Sequence, residues 1–357
     1  MSVAPTNYLV QDQALWDSQV ARSPWGHFLQ SWRWGLFKEE GGWQAERFSI
    51  AGDAKAQVLW RHTPLGQWGY IPRGPAADLA GPACAELWKA IHQAARARGA
   101  TFLRVEPNAP DADPIIAQGF RAGVPCLQPQ ASLIIDLQPG MSAAGARMKP
   151  KTRYNIGLAR RRGVVVRRGG SDDLPQFFAL LRATAQRDRF YIRPFAYYRQ
   201  FLEAFADHAV LLLAEHDGLL LGGIVVVAFG AEATYLYGAS SNERRNLMAP
   251  YLLQWEGMAW AAARGCQRYD LWGIPLESLS ENADDEATDG PLARGLAGRS
   301  MWGVYRFKRG FGGEAVRYAG AFDYVYAPLR YLLWQRFVPL AQRLLALRAD
   351  AAREALD

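Results

Sequence analysis

The chain is 357 residues long, half of them apolar, with a formal net charge of +7 at neutral pH. That length holds two medium domains, each able to bury its own core. No apolar run reaches the roughly 18 residues of a membrane-spanning helix, and residues 1–19, which carry Asp12 and Asp17, lack the apolar stretch of a signal peptide. Cys84, Cys126 and Cys266 are isolated and odd in number, and the histidines show no ligand spacing, so no disulfide framework or metal is expected and a cytoplasmic location is.

The predicted elements begin with a Trp-rich helical stretch over 14–40. Strands follow at 43–50, 56–62 and 67–71, then a helix at 82–98 stopped by Gly99 and a strand at 101–105. A basic helix at 152–162 ends at Gly163 and leads into a strand at 164–168, helices at 174–186 and 196–206, and strands at 209–216 and 221–229. Tyr235-Leu236-Tyr237 alternates as a strand, 238–246 turns, 248–264 is a helix stopped by Gly265, and 267–272 is a strand. Both halves thus close on helix, Gly, strand, which points to duplication of one α/β unit. Residues 276–299 are acidic, rich in Gly and Ser and without periodicity, and read as a loop, either a lid or a surface insertion. From Pro328 onward the pattern is helical, with arginines among Leu, Tyr and Trp; a helix packed on its domain is the preferred reading over one lying on anionic lipid.

From Arg147 to Arg168 there are nine basic side chains and no acid. A one-sign block on a structured segment is repulsive, so an anionic partner is inferred, with the salt-dependent affinity of a phosphate backbone. Trp34 and Lys38 stand four apart on one side of a helix, an aromatic wall beside an ammonium that suits a nucleotide. Tyr70-Ile71-Pro72-Arg73-Gly74-Pro75 is a strand ending in a stiff turn that projects Arg73. Arg193-Pro194 starts a helix and puts a cation at its positive end, which an intervening phosphate would justify. The cassette from Thr234 to Gly273 reads like the core of an acyl-CoA N-acyltransferase. Its turn, Arg244-Arg245-Asn246-Leu247-Met248-Ala249-Pro250, lacks the glycines that bare amides for a CoA pyrophosphate.

In order and spacing, several motifs resemble one family, the Fem (FemABX) peptidoglycan interpeptide-bridge aminoacyltransferases. They are Gln30-Ser31-x-x-x-Gly35-x-x-Lys38, Pro72-Arg73-Gly74-Pro75, Lys151-x-Arg153-Tyr154-Asn155-Ile156 and Arg193-x-x-x-Tyr197-Tyr198, followed by Tyr237-Gly238-Ala239-Ser240, Tyr269-Asp270-Leu271-Trp272-Gly273 and Phe307-Lys308-x-Gly310-Phe311-Gly312-Gly313. The resemblance runs from about Trp25 to Tyr331 and implies an α/β (α+β) fold of two tandem GNAT-like domains without a long coiled-coil arm. The implied division is 1–148 plus about 318–357 for the first domain, with its terminal helix returning to it, and 149–317 for the second.

The resemblance also implies the chemistry. Aminoacyl-tRNA replaces acyl-CoA as donor, no cofactor is needed, and the acceptor is UDP-MurNAc-pentapeptide or lipid II, the lipid form bringing a monomeric protein to the inner face of the membrane. Lys38 and Arg193 look like the pair that holds the acceptor diphosphate, with Trp34, Arg73, Tyr197 and Tyr237 lining the acceptor channel and Glu106 a looser match there. Phe307 and Lys308 resemble the pair beside the reacting ester, where an ammonium stabilises developing negative charge. Without an arm, tRNA contact falls to Lys149, Lys151, Arg153, Arg160 and Arg161. The implied reaction is direct aminolysis of the ester by the side-chain amine of the third stem-peptide residue, with Asp270 a candidate proton relay or a structural residue. A CoA-dependent N-acyltransferase and a non-catalytic RNA- or lipid-binding relative are the rival readings.

Overall fold

The computed structural model describes residues 12–50, 54–188, 190–279 and 299–336. Most of the loop over 276–299 and the chain beyond 336 lie outside the described residues. Asp12 caps α1 (Gln13–Arg22) by accepting from the Leu15 amide at 3.0 Å, and Ser31 caps α2 (Trp32–Glu40) by accepting from the Trp34 amide at 3.2 Å. The single helix expected over 14–40 is therefore two, because Pro24 and Gly26 break it and Ser31 starts it again. Next come β1 (Gln44–Ile50), β2 (Ala54–Thr63), β3 (Gly66–Pro72), α3 (Pro82–Ala97), β4 (Ala100–Glu106), α4 (Asp113–Ala117) and β5 (Arg121–Ala122). The chain continues through β6 (Ala131–Asp136), α5 (Met141–Arg147), α6 (Pro150–Arg161), β7 (Val165–Arg168), α7 (Leu174–Asp188), α8 (Phe195–Ala204), β8 (Ala209–His216), β9 (Leu219–Phe229) and β10 (Glu232–Ser240). Then follow α9 (Ala249–Ala263), β11 (Arg268–Asp270), α10 (Arg299–Arg309), β12 (Glu314–Arg317), β13 (Phe322–Val325) and a helix at 328–336.

The strands form two mixed sheets, ordered β1-β2-β3-β4-β13-β5 and β12-β6-β11-β10-β9-β8-β7. In each sheet one parallel pair, β3 with β4 or β10 with β11, sits among antiparallel neighbours and is joined by a crossover helix, α3 or α9. This repeated unit, each time followed by an antiparallel strand and a short edge strand, is the GNAT-like plan.

The two units exchange a strand. After β5 the chain leaves the first sheet, and β6 inserts between β11 and β12 of the second. After β12 it returns, and β13 inserts between β4 and β5 of the first. A division at 148 and 149 is thereby corrected: β6 lies before that point yet buries Leu133 and Ile135 in the core of the second sheet, so that sheet begins at Ala131. Each inserted strand is pinned by polar groups. Arg104 of β4 forms a two-pronged, fully buried ion pair with Asp323 of β13, both contacts at 2.7 Å, and Ser132 of β6 hydrogen-bonds Asp270 at the end of β11.

Each sheet has its own core, and a third apolar cluster runs between them. It joins Trp34 and Phe37 of α2, Trp68 and Phe102 of the first sheet, and Phe177, Phe201 and Leu213 of the second unit. The candidate residues line this seam.

Candidate active site

Strand β10 runs along the seam with a β-bulge between Tyr235 and Tyr237. An extra residue at that point breaks the two-residue alternation of a strand. Tyr235 consequently packs on the core of the second sheet and Tyr237 on the shared cluster. A group of candidate side chains lies around each ring.

The first group gathers around Tyr237 and Tyr197. The Ser31 cap fixes α2 so that Trp34 and Lys38 share a face. The Lys38 ammonium lies 5.5 Å from the centroid of Trp34 and 5.7 Å from those of Trp43 and Tyr197. Tyr197, in the first turn of α8, also carries the Arg193 guanidinium at 5.7 Å and is hydrogen-bonded to Tyr237. Arg61 of β2 stacks on Trp43 at 5.2 Å. None of Lys38, Arg61 and Arg193 has a carboxylate partner among the described residues. Burial, and then repulsion from Arg193 and Arg61, pulls the Lys38 ammonium down to about 8. Cations gathered on aromatic rings, with no acid among the described residues, suit a dianion, which would relieve the repulsion if it bound.

The second group surrounds Lys308, buried in the last turn of α10. Its ammonium donates to the carbonyls of Trp272 at 3.0 Å and Gly273 at 2.7 Å, and lies 5.8 Å from the Tyr235 ring. Two successive carbonyls can face one ammonium because Trp272 is left-handed, with φ 61°, an unusual conformation for so large a residue. Asp270 holds that turn: its Oδ1 accepts from the Trp272 amide at 2.6 Å and from the Ser132 hydroxyl. Oδ2 is buried without a hydrogen-bond partner, and burial raises the carboxyl above its usual range against those hydrogen bonds. Burial lowers Lys308 to about 8, opposed by the charge of Asp270. Phe307, the preceding residue, packs at 5.0 Å from Tyr251 and 5.2 Å from Phe311. Arg73, also left-handed at φ 47°, lies buried 3.5 Å over Tyr318 and 5.5 Å from Trp272, and donates to the Pro129 carbonyl at 2.6 Å. The two groups communicate through Phe28, which touches Trp34 at 5.7 Å and Trp272 at 6.3 Å.

The structure thus brings Lys38, Arg193, Trp34, Tyr197 and Tyr237 together at one place and Lys308, Phe307 and Arg73 at the other. Glu106 stands close enough to Arg73 of the second group to feel its charge. At the end of β4 it accepts from the Tyr70 hydroxyl at 2.5 Å, the Gln128 amide at 3.0 Å and the Leu127 amide, clasping the loop that leads out to β6.

The basic segment is also less bare than its sequence suggests. Arg160 pairs with Glu256 at 2.9 Å, Arg147 with Asp136 at 3.1 Å, and Arg167 with Asp173 at 2.6 Å and Glu215 at 2.7 Å, while Arg153 donates to the carbonyls of Ala146 and Met148. Acids from outside the run have been folded against Arg147, Arg160 and Arg167. Lys151 and Arg161 remain outward on α6, beside an exposed Tyr154 that lies 5.9 Å from Arg161. The Lys149 amide donates to the Gly310 carbonyl at 2.9 Å, so α6 starts against the helix that carries Lys308.

Sequence reasoning missed Arg61 and Trp43. An exposed arginine near the end of a strand has no local signature; only the pairing of β1 with β2 brings Trp43 and Arg61 together.

Two sheets built on one repeated parallel pair, with a buried ammonium at the mouth of the second, define a tandem acyltransferase of GNAT-like fold. The turn ahead of α9 departs from CoA users: Arg244 and Met248 take left-handed conformations at φ 48° and 58° without glycine, and Arg244 pairs with Asp217 at 2.8 Å. The FemAB family matches residues 13–113, 116–218 and 215–337, and the chain belongs to this family of transferases. It is 24% identical to the lipid II:glycine glycyltransferase of Staphylococcus saprophyticus over 91% of this chain and 94% of that one. It is 23% identical to the enzyme of the same name from Staphylococcus aureus strain MRSA252, over 90% and 94%. Among solved structures, FemX superposes with a TM-score of 0.79 at 21% identity over 91% of this chain and 98% of FemX. The C-terminal domain of a lysylphosphatidylglycerol synthetase from Agrobacterium fabrum superposes with a TM-score of 0.54 at 13% identity over 92% and 97%, which speaks to fold alone.

Proposed function

We propose that this protein moves an amino acid from the 3′ end of aminoacyl-tRNA to the side-chain amine of the third residue of a peptidoglycan-precursor stem peptide, on lipid II or its UDP-linked counterpart. The observation that carries the reading is the pairing of two differently built cationic centres along one seam. Lys38 and Arg193, with Arg61, take the acceptor diphosphate; Lys308 faces the ester. The acceptor amine attacks the ester carbonyl, a C–N bond forms, and the tetrahedral oxyanion develops beside the Lys308 ammonium. The C–O bond to the ribose then breaks, the ribose oxygen takes up a proton, and the attacking nitrogen loses one. An ester is already activated, so alignment and charge stabilisation supply most of the rate and no acyl-enzyme or cofactor is required. Lys149, Lys151 and Arg161, with Arg153 and Arg160 on the same helix, guide the tRNA toward Lys308, and Phe307 packs against its terminal ribose. The names of the relatives, which act on lipid II, support a lipid-linked acceptor.

Incubating the protein with a mixture of charged tRNAs and UDP-MurNAc-pentapeptide or lipid II should add the mass of one or more amino acids to the acceptor. No mass gain with any charged tRNA, together with acetyl transfer from acetyl-CoA, would replace this reading with a CoA-dependent one.

A further inference from the structure

The helix at 328–336 is tied to the first sheet along one side. Tyr331 donates to Asp323 at 2.7 Å, and the Trp334 ring lies 4.7 Å from that of Phe102. Leu329, Leu332 and Leu333, at i, i+3 and i+4, form the other side and are 80%, 54% and 43% exposed. Arginines border this stripe: Arg330 and Arg336 on the helix itself, and Arg121 of β5, whose guanidinium lies 4.7 Å from the Tyr331 ring. All three are exposed, none has a carboxylate partner among the described residues, and residues 324–336 contain no acid. An apolar stripe edged by cations alone is complementary to the acyl chains and phosphates of an anionic bilayer.

The position of the helix selects the same occupant. Trp334 lies 5.9 Å from Trp68, Trp68 lies 5.1 Å from Trp43, and Trp43 carries Lys38 at 5.7 Å and Arg61 at 5.2 Å. The leucine stripe is therefore separated from the cation pocket by a short run of rings in tilted and edge-on contact. A diphosphate seated in that pocket, when it belongs to a lipid, continues on its far side into hydrocarbon that must enter a membrane close by. We infer that the helix at 328–336 docks the protein on an anionic membrane, with Leu329, Leu332 and Leu333 among the acyl chains and Arg121, Arg330 and Arg336 on the lipid phosphates, which sets the Lys38 pocket at headgroup height. The inference rests on the lipid-linked form of the acceptor proposed above.

Cosedimentation of the full-length protein with vesicles containing phosphatidylglycerol tests it. The wild type should bind them and should bind pure phosphatidylcholine vesicles about a hundredfold more weakly, at roughly fivefold for each of three arginines. Leu329→Glu/Leu332→Glu should lose binding to both by at least about tenfold, and Arg330→Glu/Arg336→Glu should lose the anionic preference, at roughly fivefold per arginine. Both variants should keep wild-type turnover on the soluble UDP-linked acceptor, which also controls for folding, and lose turnover on acceptor carried in vesicles. Wild type that stays in the supernatant, variants that pellet like wild type, or a wild-type dimer that the leucine substitutions dissociate would each overturn the docking. If the variants lose vesicle binding but the wild type transfers no amino acid to either acceptor, the docking stands and the aminoacyl-transfer reading falls.

Discussion

Lys38 and Lys308 are both drawn down to about 8, yet their surroundings are opposite in kind. Lys38 stands on aromatic rings, facing two other cations and, among the described residues, no acid, an environment that an incoming anion would complete. Lys308 is already held by two backbone carbonyls, with a carboxylate nearby that favours its charge. The first arrangement is poised to bind, and the second to keep an ammonium at a fixed point whether or not substrate is present. Burial sets both values; neighbouring cations add to it at Lys38 and a carboxylate opposes it at Lys308, so only the partners tell the two apart.

The largest difference should appear on removing the two charges. Lys308→Met is expected to lower turnover by about 10²–10³-fold while acceptor affinity changes little, since a preorganised donor contributes mainly in the transition state; unaltered turnover would remove Lys308 from the chemistry. Lys38→Met and Arg193→Met should each weaken acceptor binding by roughly ten- to a hundredfold, the worth of a charge-assisted hydrogen bond to phosphate, with turnover at saturation near wild type. Calorimetric titration with UDP-MurNAc-pentapeptide reads this directly. If either variant loses turnover but not affinity, the division of labour between the two lysines is wrong.

pH gives a finer separation. Both lysines work as ammonium, so activity should fall as pH rises through about 8. A bound diphosphate raises Lys38, so its ionisation should appear in kcat/KM and vanish from kcat, whereas that of Lys308 should persist in kcat. Asp270 raises Lys308, whose ammonium also faces the Tyr235 ring, while Arg73, Glu232 and Tyr318 are the charged and titratable groups that face Asp270. Asp270→Asn, which keeps an acceptor for the Trp272 amide, should therefore move the alkaline limb of kcat to lower pH and cost a few-fold in rate. A limb that stays in place would mean that Asp270 is uncharged in the working enzyme and acts through the Trp272 turn alone.

Much of this was legible in the chain. The helices and long strands were readable because their apolar periodicity is local: the cassette around β10, α9 and β11, for example, carries its stops at Gly265 and its alternation at Tyr235 to Tyr237. Lys38, Arg193 and Lys308 stood out through motif spacing. What the sequence hid is what depends on partners far along the chain. The inserted strands β6 and β13 are short, and nothing local in Ala131–Asp136 marks it as belonging to the later sheet rather than the earlier one. The clasp that Glu106 makes was hidden because its loop partners, Leu127 and Gln128, are reached only by folding. The basic run looked unpaired because Glu256 and Glu215 lie far from it in sequence.

The exchange of β6 and β13 also limits how this protein can be divided or inherited. The hydroxyl that steadies Asp270, and through it the turn holding Lys308, comes from Ser132 on a strand that the earlier unit sends across. In return, the ion pair closing the earlier sheet is completed by Asp323 from beyond the later one. Neither unit is a module that could be lost, swapped or reshuffled while its neighbour goes on working. A fragment ending at residue 130 would lack Asp323 and leave Arg104 as a buried, unpaired charge, a loss of about 3–5 kcal/mol. In urea such a fragment should show no cooperative transition, whereas the whole chain should melt in one. Selection on this molecule therefore acts on a single indivisible piece, although its gene plan reads as two.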